Sequence, residues 1–88
     1  MRIEVRRTGG FAGIERRAEV DTSARSDACE WHALAERALT AGRDTPPAGV
    51  PDGFHYEITV DGRTVHAADP YLTEAQRELV SRVLKEGV

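Results

Sequence analysis

An alternating segment followed by a tight turn constrains this chain more than any other feature of its sequence. Apolar and polar residues alternate along residues 54–60, which is the period of a strand with one buried face. Asp61 and Gly62 follow, a pair that favours the positive φ angles of a two-residue hairpin turn. A hairpin closed there places Ile58 opposite Val65 and continues the apolar face onto the next strand. The sequence therefore predicts an antiparallel hairpin in the second half of the chain.

The N-terminal segment predicts another hairpin with a wider loop. Residues 2–7 alternate around Ile3 and Val5, and residues 14–20 alternate more weakly because Arg16 falls on the apolar side. The first strand is predicted to end after residue 7, where a threonine and two glycines follow. About six glycine-rich residues then connect the two strands, more than a tight turn needs.

A first helix is predicted over residues 27–41. Trp31 and Leu34 belong to an apolar stripe at helical spacing, and a glycine follows the last apolar residue. Asp27 is the expected N-cap. Glu30 lies three residues further on, which is the spacing of a capping box.

A second helix is predicted over residues 74–86. Thr73 and Gln76 have the same capping-box spacing at its start. Between the regular elements, residues 43–53 hold three prolines and two glycines, which predicts an extended surface loop. The Asp-Pro pair at residues 69–70 predicts a turn.

The predicted elements follow the order β-β-α-β-β-α. The simplest packing places both helices on the apolar face of one four-stranded antiparallel sheet, an α+β arrangement in a single domain over residues 1–88. The pattern leaves the order of the strands open. The predicted core consists of Trp31, Leu34, Phe54, Tyr56, Ile58, Leu79 and Val83.

Charge and cysteine content disfavour several function classes. The net charge is −3 and basic residues are interspersed with acidic ones, which argues against nucleic acid as a partner because that binding requires Lys and Arg to neutralise phosphates. No stretch approaches the ~20 apolar residues that span a bilayer, and the N-terminus lacks the apolar run of a secretion signal. Cys29 is the single cysteine, so no internal disulfide can form. We expect a cytoplasmic protein that binds neither nucleic acid nor membrane.

The first helix carries three residues of types that catalysis or metal binding uses. Cys29, His32 and Glu36 are spaced so that all three can face one way. A tetrahedral metal site would need a further cluster, and none accompanies them. The simpler interpretation is that Cys29 packs as a small hydrophobic residue while His32 and Glu36 face water.

The second hairpin carries another such group. His55 and His66 fall on its polar face, with Glu57 directly opposite His66. Two imidazoles and a carboxylate can bind zinc or copper. Because a polar sheet face carries such residues in any case, we predict ordinary surface side chains and no metal ion or cofactor.

The segment Thr8–Gly13 is the part of the chain that local structure explains least. It contains three glycines and Phe11, where a two-residue turn would suffice to close the hairpin. Phosphate binding is disfavoured because a strand follows, rather than the N-terminus of a helix. Two interpretations stay open. Phe11 folds under the hairpin as part of the core, or the segment is a recognition loop with mobile glycine backbone and one apolar anchor.

The same segment belongs to a resemblance that extends over nearly the whole chain. The protein resembles the emfourin family, small bacterial inhibitors of protealysin, in its start MRIEVRRTGGFAGI, its tryptophan-containing helix, its strand PDGFHY and its C-terminal LVSRVL. The short block GGFAG is the most specific part. The resemblance implies a competitive inhibitor of a thermolysin-like zinc metallopeptidase, monomeric when free, and not an enzyme. The partner-binding residues that it implies are Thr8, Gly9, Gly10, Phe11, Ala12 and Gly13.

Inhibition would follow if this segment blocks the active-site cleft of the peptidase. We expect Phe11 to enter the hydrophobic specificity pocket and the flanking backbone to pair with an edge strand of the enzyme. The resemblance implies no catalytic residue, metal or cofactor in the inhibitor. The alternative is a small non-catalytic binding module that uses the same loop on a non-peptidase partner.

Overall fold

A computed structural model describes residues 1–9, 15–42, 54–68 and 72–87. The described residues follow the predicted order β-β-α-β-β-α. The elements are β1 (Arg2–Gly9), β2 (Arg16–Asp21), α1 (Ala28–Ala41), β3 (Phe54–Val60), β4 (Arg63–Ala68) and α2 (Glu74–Glu86). The predicted loop at residues 43–53 and the predicted turn at residues 69–70 lie outside the described residues. Neither described helix is long and apolar enough to cross a membrane.

The four strands form one antiparallel sheet in the order β2-β1-β3-β4. Strands β1 and β3 are therefore central, and α1 lies in the connection from the edge strand β2 to β3. Ile3 lies opposite Val20 on one side and Val60 on the other, so the apolar side chains of three strands share a row. The buried residues of α1 and α2 join these side chains in a single core. Both helices thus pack on one face of the sheet, which confirms the predicted α+β arrangement.

The hairpin of β3 and β4 has the predicted register. Ile58 lies opposite Val65, and the turn residues Asp61 and Gly62 have φ angles of 48° and 87°. Asp61 also links the turn to β1. Its carboxylate accepts a hydrogen bond of 2.9 Å from the backbone N–H of Arg2, and its own N–H donates to the Arg2 carbonyl over 3.1 Å.

The core is close to the predicted one, with one exception. Trp31, Ile58, Leu79 and Val83 are completely excluded from solvent, and Leu34 and Tyr56 are almost so. Phe54 was expected in the core but is only half-buried and packs against the edge of the cluster. The reason is its position as the first residue of β3, at the end of the sheet beyond the layer that the helices cover.

The two predicted capping boxes have different outcomes. At α2, the Thr73 hydroxyl accepts a hydrogen bond of 3.2 Å from the Gln76 N–H, and the Gln76 side chain accepts one of 3.0 Å from the Thr73 N–H. At α1, Asp27 is the N-cap residue, but the predicted capping box is wrong because the Asp27 side chain makes no capping hydrogen bond. Its carboxylate instead accepts a hydrogen bond of 2.9 Å from Arg25 and lies 3.5 Å from Arg82 of α2.

The glycine that ends α1 is required by close packing. Gly42 has an extended backbone with φ −78°, which any residue can adopt. A Cβ added there would overlap the side chain of Val65, which is only 1 % exposed. The end of α1 can therefore approach β4 this closely only because residue 42 has no side chain.

Candidate functional site

Strand β1 is longer than the sequence predicts, which changes the start of the candidate loop. It extends through Gly9 rather than ending after residue 7, and Thr8 and Gly9 pair with β3. The neighbouring strand offers backbone partners at these positions, so pairing outweighs the weak strand propensity of glycine. Gly9 has φ 90°, a backbone angle that favours glycine and turns the chain at the strand end. The rest of the candidate segment, residues 10–13, lies outside the described residues.

Charged side chains link the two chain segments that flank this loop. Arg6 donates a hydrogen bond of 3.0 Å to the carboxylate of Glu15, the first described residue after the loop. A second carboxylate, on Glu57 of β3, lies 3.5 Å from the same guanidinium. The hydrogen bond and charge of Glu15 raise the pKa of Arg6 above its ordinary value. All three side chains are more than one-third exposed, so the pairs orient the loop ends and contribute little to stability.

Two arginines occupy the helix-facing side of the sheet at the base of the loop. Arg7 lies opposite Arg16 of β2 and opposite Tyr56 of β3, in the row next to that of Val5 and Ala18. Arg16 donates a hydrogen bond of 2.8 Å to the carbonyl of Leu84, near the C-terminal end of α2, where a positive charge is favourable. The guanidinium carbon of Arg7 lies 4.3 Å from the centre of the Phe54 ring, a cation–π contact.

Between this row and α2 lies an open groove of about 410 Å³. We call it the basic groove. It is lined by Arg7, Arg16, Tyr56, Leu72, Arg77, Val80, Ser81, Leu84 and Lys85. Tyr56 and Val80 are buried and form an apolar floor, whereas Arg16, Arg77 and Lys85 are exposed at its rim. Four of the nine lining residues are cationic and none is acidic.

The cations of the basic groove differ in pairing from most others in the described part of the chain. Arg2, Arg6, Arg17, Arg25 and Arg82 each lie at ion-pairing distance from a carboxylate. Within the described residues, Arg7, Arg16, Arg77 and Lys85 have no such partner, a property shared only by Arg37 and Arg63 elsewhere on the surface. A chain of net charge −3 thus concentrates unpaired positive charge on one groove.

The predicted cysteine–histidine group does not form a site. Cys29 is exposed, so the expectation that it packs as a small hydrophobic residue is wrong. It lies on α1 beyond the edge of the stripe that Trp31 and Leu34 bury. His32 and Glu36 are exposed, as expected, and Nε2 of His32 lies 3.3 Å from the Thr22 hydroxyl. Across the described ranges, no three His, Cys, Asp or Glu side chains converge as metal ligands.

The second histidine group lies on the sheet face opposite the helices. Glu57 is opposite His66 as predicted, with 4.0 Å between Oε1 and Nδ1. The rings of His55 and His66 are 6.0 Å apart between their centres. The His66 side chain is only 11 % exposed, so it is not the solvated surface residue that was expected. The alternation of β4 places His66 on the outer face, but neighbouring side chains of the twisted sheet shield its ring from solvent.

Together, these observations define a class of protein: a two-layer α+β domain with an open basic groove beside the paired sheet end at Thr8 and Gly9. Residues 5–84 match the family model of Emfourin. Because the match covers nearly the whole chain, the protein belongs to this family, and the resemblance found in the sequence is confirmed. Membership indicates a protease-inhibitor role and therefore a protease as partner. No curated protein and no solved structure matches the chain.

Sequence reasoning missed the basic groove, although two signals for it were present. Arg7 and Arg16 both fall on the apolar side of their strands, where a core residue is otherwise expected. Arg77, Ser81 and Lys85 follow at intervals of four residues, so they form one polar stripe along α2. That these two features face each other depends on how α2 lies across the sheet, which the local pattern does not specify.

Proposed function

We propose that this protein is a competitive inhibitor of a thermolysin-like zinc metallopeptidase and that the segment Thr8–Gly13 blocks the active-site cleft. The family match over residues 5–84 carries this proposal. The position of the segment supports it. The segment starts inside a strand that is paired with β3, and Arg6 donates a hydrogen bond to Glu15, two residues after the segment.

A firmly held loop base favours inhibition because it reduces the ordering cost on binding. Thr8 and Gly9 are already fixed in the sheet, so binding incurs no ordering cost for these two residues. In the proposed complex, Phe11 occupies a hydrophobic specificity pocket. The backbone beside it pairs with an edge strand of the enzyme, which gives affinity without requiring a specific sequence.

We also propose that the inhibitor acts in the cytoplasm. Cys29 is a free and exposed thiol. Such a group persists in a reducing compartment, whereas an oxidising one favours mixed disulfides or dimers through it. Cytoplasmic localisation would allow the inhibitor to silence a peptidase before export.

A steady-state inhibition experiment tests the proposed function. The purified protein is titrated against a thermolysin-like peptidase at several concentrations of a peptide substrate. A cleft-blocking inhibitor raises KM and leaves kcat unchanged, because substrate and inhibitor exclude each other. Inhibition that lowers kcat without changing KM would contradict binding in the cleft, and no inhibition of any such peptidase would contradict the function itself.

A further inference from the structure

We propose that the basic groove binds an acidic, extended segment of the partner protein, as a second contact surface beside the loop. The ligand class follows from the groove itself. Only the statement that the partner is a metallopeptidase rests on the proposed function. Its nine lining residues belong to β1, β2, β3 and α2, with Leu72 just before α2.

The floor and rim of the groove select different parts of such a ligand. Tyr56 and Val80 provide buried apolar surface in the floor, and Leu84 adds a half-buried side chain. Exposed cations on Arg77 and Lys85 stand on the α2 side, with Arg16 on the sheet side. An extended peptide directs successive side chains to opposite sides, so apolar residues can face the floor while carboxylates between them face the rim.

The pairing pattern supports an external carboxylate as the missing partner. The four groove cations have no carboxylate partner among the described residues, while five other arginines do. Guanidinium groups bind carboxylates with strong, directional hydrogen bonds, so a Glu or Asp of the partner fits the cationic rim of the groove.

The groove also lies close enough to the proposed inhibitory segment for one partner to contact both. Arg7 immediately precedes Thr8, so the groove begins one residue from the segment proposed to enter the enzyme cleft. A partner held by the loop presents its neighbouring surface to the groove at high effective concentration. Positive charge at the rim should then act mainly on the association rate, with a strong dependence on ionic strength.

The direct test is a titration of the ¹⁵N-labelled protein, followed by NMR, with a blocked synthetic peptide of alternating Glu and Leu. Amide resonances of groove residues, Ser81 among them, should shift on binding. The double variant Arg77→Glu/Lys85→Glu should weaken binding at least tenfold. The matched control Arg37→Glu/Arg63→Glu makes the same change in net charge at two exposed sites outside the groove and should bind as the parent does.

A single variant separates loss of binding from loss of folding. Lys85 lies in the last turn of α2, where a negative charge is unfavourable. Arg77 lies near the start of the helix, where a negative charge is compatible with the helix dipole. The single substitution Arg77→Glu should therefore fold normally and weaken binding by about threefold, the square root of the tenfold loss expected of the pair. Its melting temperature should equal that of the parent.

Several outcomes would overturn the proposal. These are an absence of shifts in groove residues, equal weakening by the control pair, equal binding of a peptide with Gln in place of Glu, or tighter binding of a single-stranded oligonucleotide. Inhibition assays separate this proposal from the proposed function. If the protein binds the acidic peptide in the groove but inhibits no peptidase, the function fails and the groove stands. If it inhibits with the same salt dependence after Arg77→Glu/Lys85→Glu, the function stands and the groove contributes nothing to the complex.

Discussion

Truncation of Trp31 should remove a large part of the stability of this domain. The side chain is completely excluded from solvent, and the guanidinium carbons of Arg82 and Arg25 lie 4.4 Å and 5.4 Å from the centre of its ring. Trp31 thus fills the core and also supports the contact between the start of α1 and the end of α2. Replacement by alanine leaves a cavity in place of the ring and leaves both cations without their aromatic partner.

The magnitude follows from the size of the lost side chain. Truncation of a buried tryptophan costs about 3–5 kcal/mol. A chain of 88 residues has a total stability of about 4–13 kcal/mol, at roughly 0.05–0.15 kcal/mol per residue. For a domain of this size, each 1 kcal/mol corresponds to a change of about 4–8 °C in Tm, so Trp31→Ala should lower Tm by at least about 12 °C.

Thermal unfolding followed by far-ultraviolet circular dichroism measures this change, because tryptophan fluorescence is lost in the variant. Glu36→Ala is the matched control: it truncates an exposed side chain of the same helix and should leave Tm unchanged within about 2 °C. A Trp31→Ala protein that melts within a few degrees of the parent would refute the assignment of this ring to the core.

Two further predictions follow from local contacts. Gly42→Ala should destabilise the domain by about 1–3 kcal/mol, measured by urea unfolding, because the added Cβ collides with the buried Val65; a neutral result would contradict the close approach of α1 to β4. The hydrogen bond from Arg25 lowers the pKa of Asp27, so this carboxylate stabilises the fold above its unfolded pKa and ceases to do so as the pH falls through its lowered folded value. Asp27→Asn should therefore lower Tm at neutral pH, and the difference from the parent should vanish at the lowest pH at which both proteins fold. A constant difference at every pH would show that the charge of Asp27 has no role.

The features that the sequence predicts well are those that depend on a few neighbouring residues. The turn at Asp61 and Gly62 fixes the register of its hairpin locally, and Thr73 caps α2 through a residue three positions away. The prediction fails where a residue from elsewhere in the chain binds the same side chain. Asp27 has the spacing of a capping residue, but Arg25 and Arg82 bind its carboxylate instead.

The candidate site shows the same distinction. The segment Thr8–Gly13 stands out in the sequence because it is longer than a two-residue turn and contains a phenylalanine among its glycines. The true end of β1 does not, because it depends on pairing with β3, which is remote in sequence. The basic groove depends on the strand order and on the position of α2, and neither follows from periodicity. The sequence carries two local signals of it, Arg7 and Arg16 as cations where apolar residues are expected and the polar stripe of Arg77, Ser81 and Lys85 along α2, but periodicity does not show that the two face each other.

Two single-residue variants show whether the loop inhibits a peptidase through Phe11. Inhibition of a thermolysin-like peptidase, ideally that of the same host, is measured for Phe11→Ala and for Thr59→Ala, with Tm measured alongside. Thr59 is a suitable control because it lies on the sheet face opposite the helices, where its hydroxyl hydrogen-bonds to the Thr64 hydroxyl over 2.9 Å. Burial of a phenylalanine ring contributes about 1.5–3 kcal/mol, so Phe11→Ala should weaken inhibition by roughly ten- to a hundredfold without lowering Tm, and Thr59→Ala should change neither. Unchanged inhibition by Phe11→Ala would show that Phe11 does not bind the enzyme cleft, and a loss of stability like that of Trp31→Ala would show that Phe11 is a core residue instead.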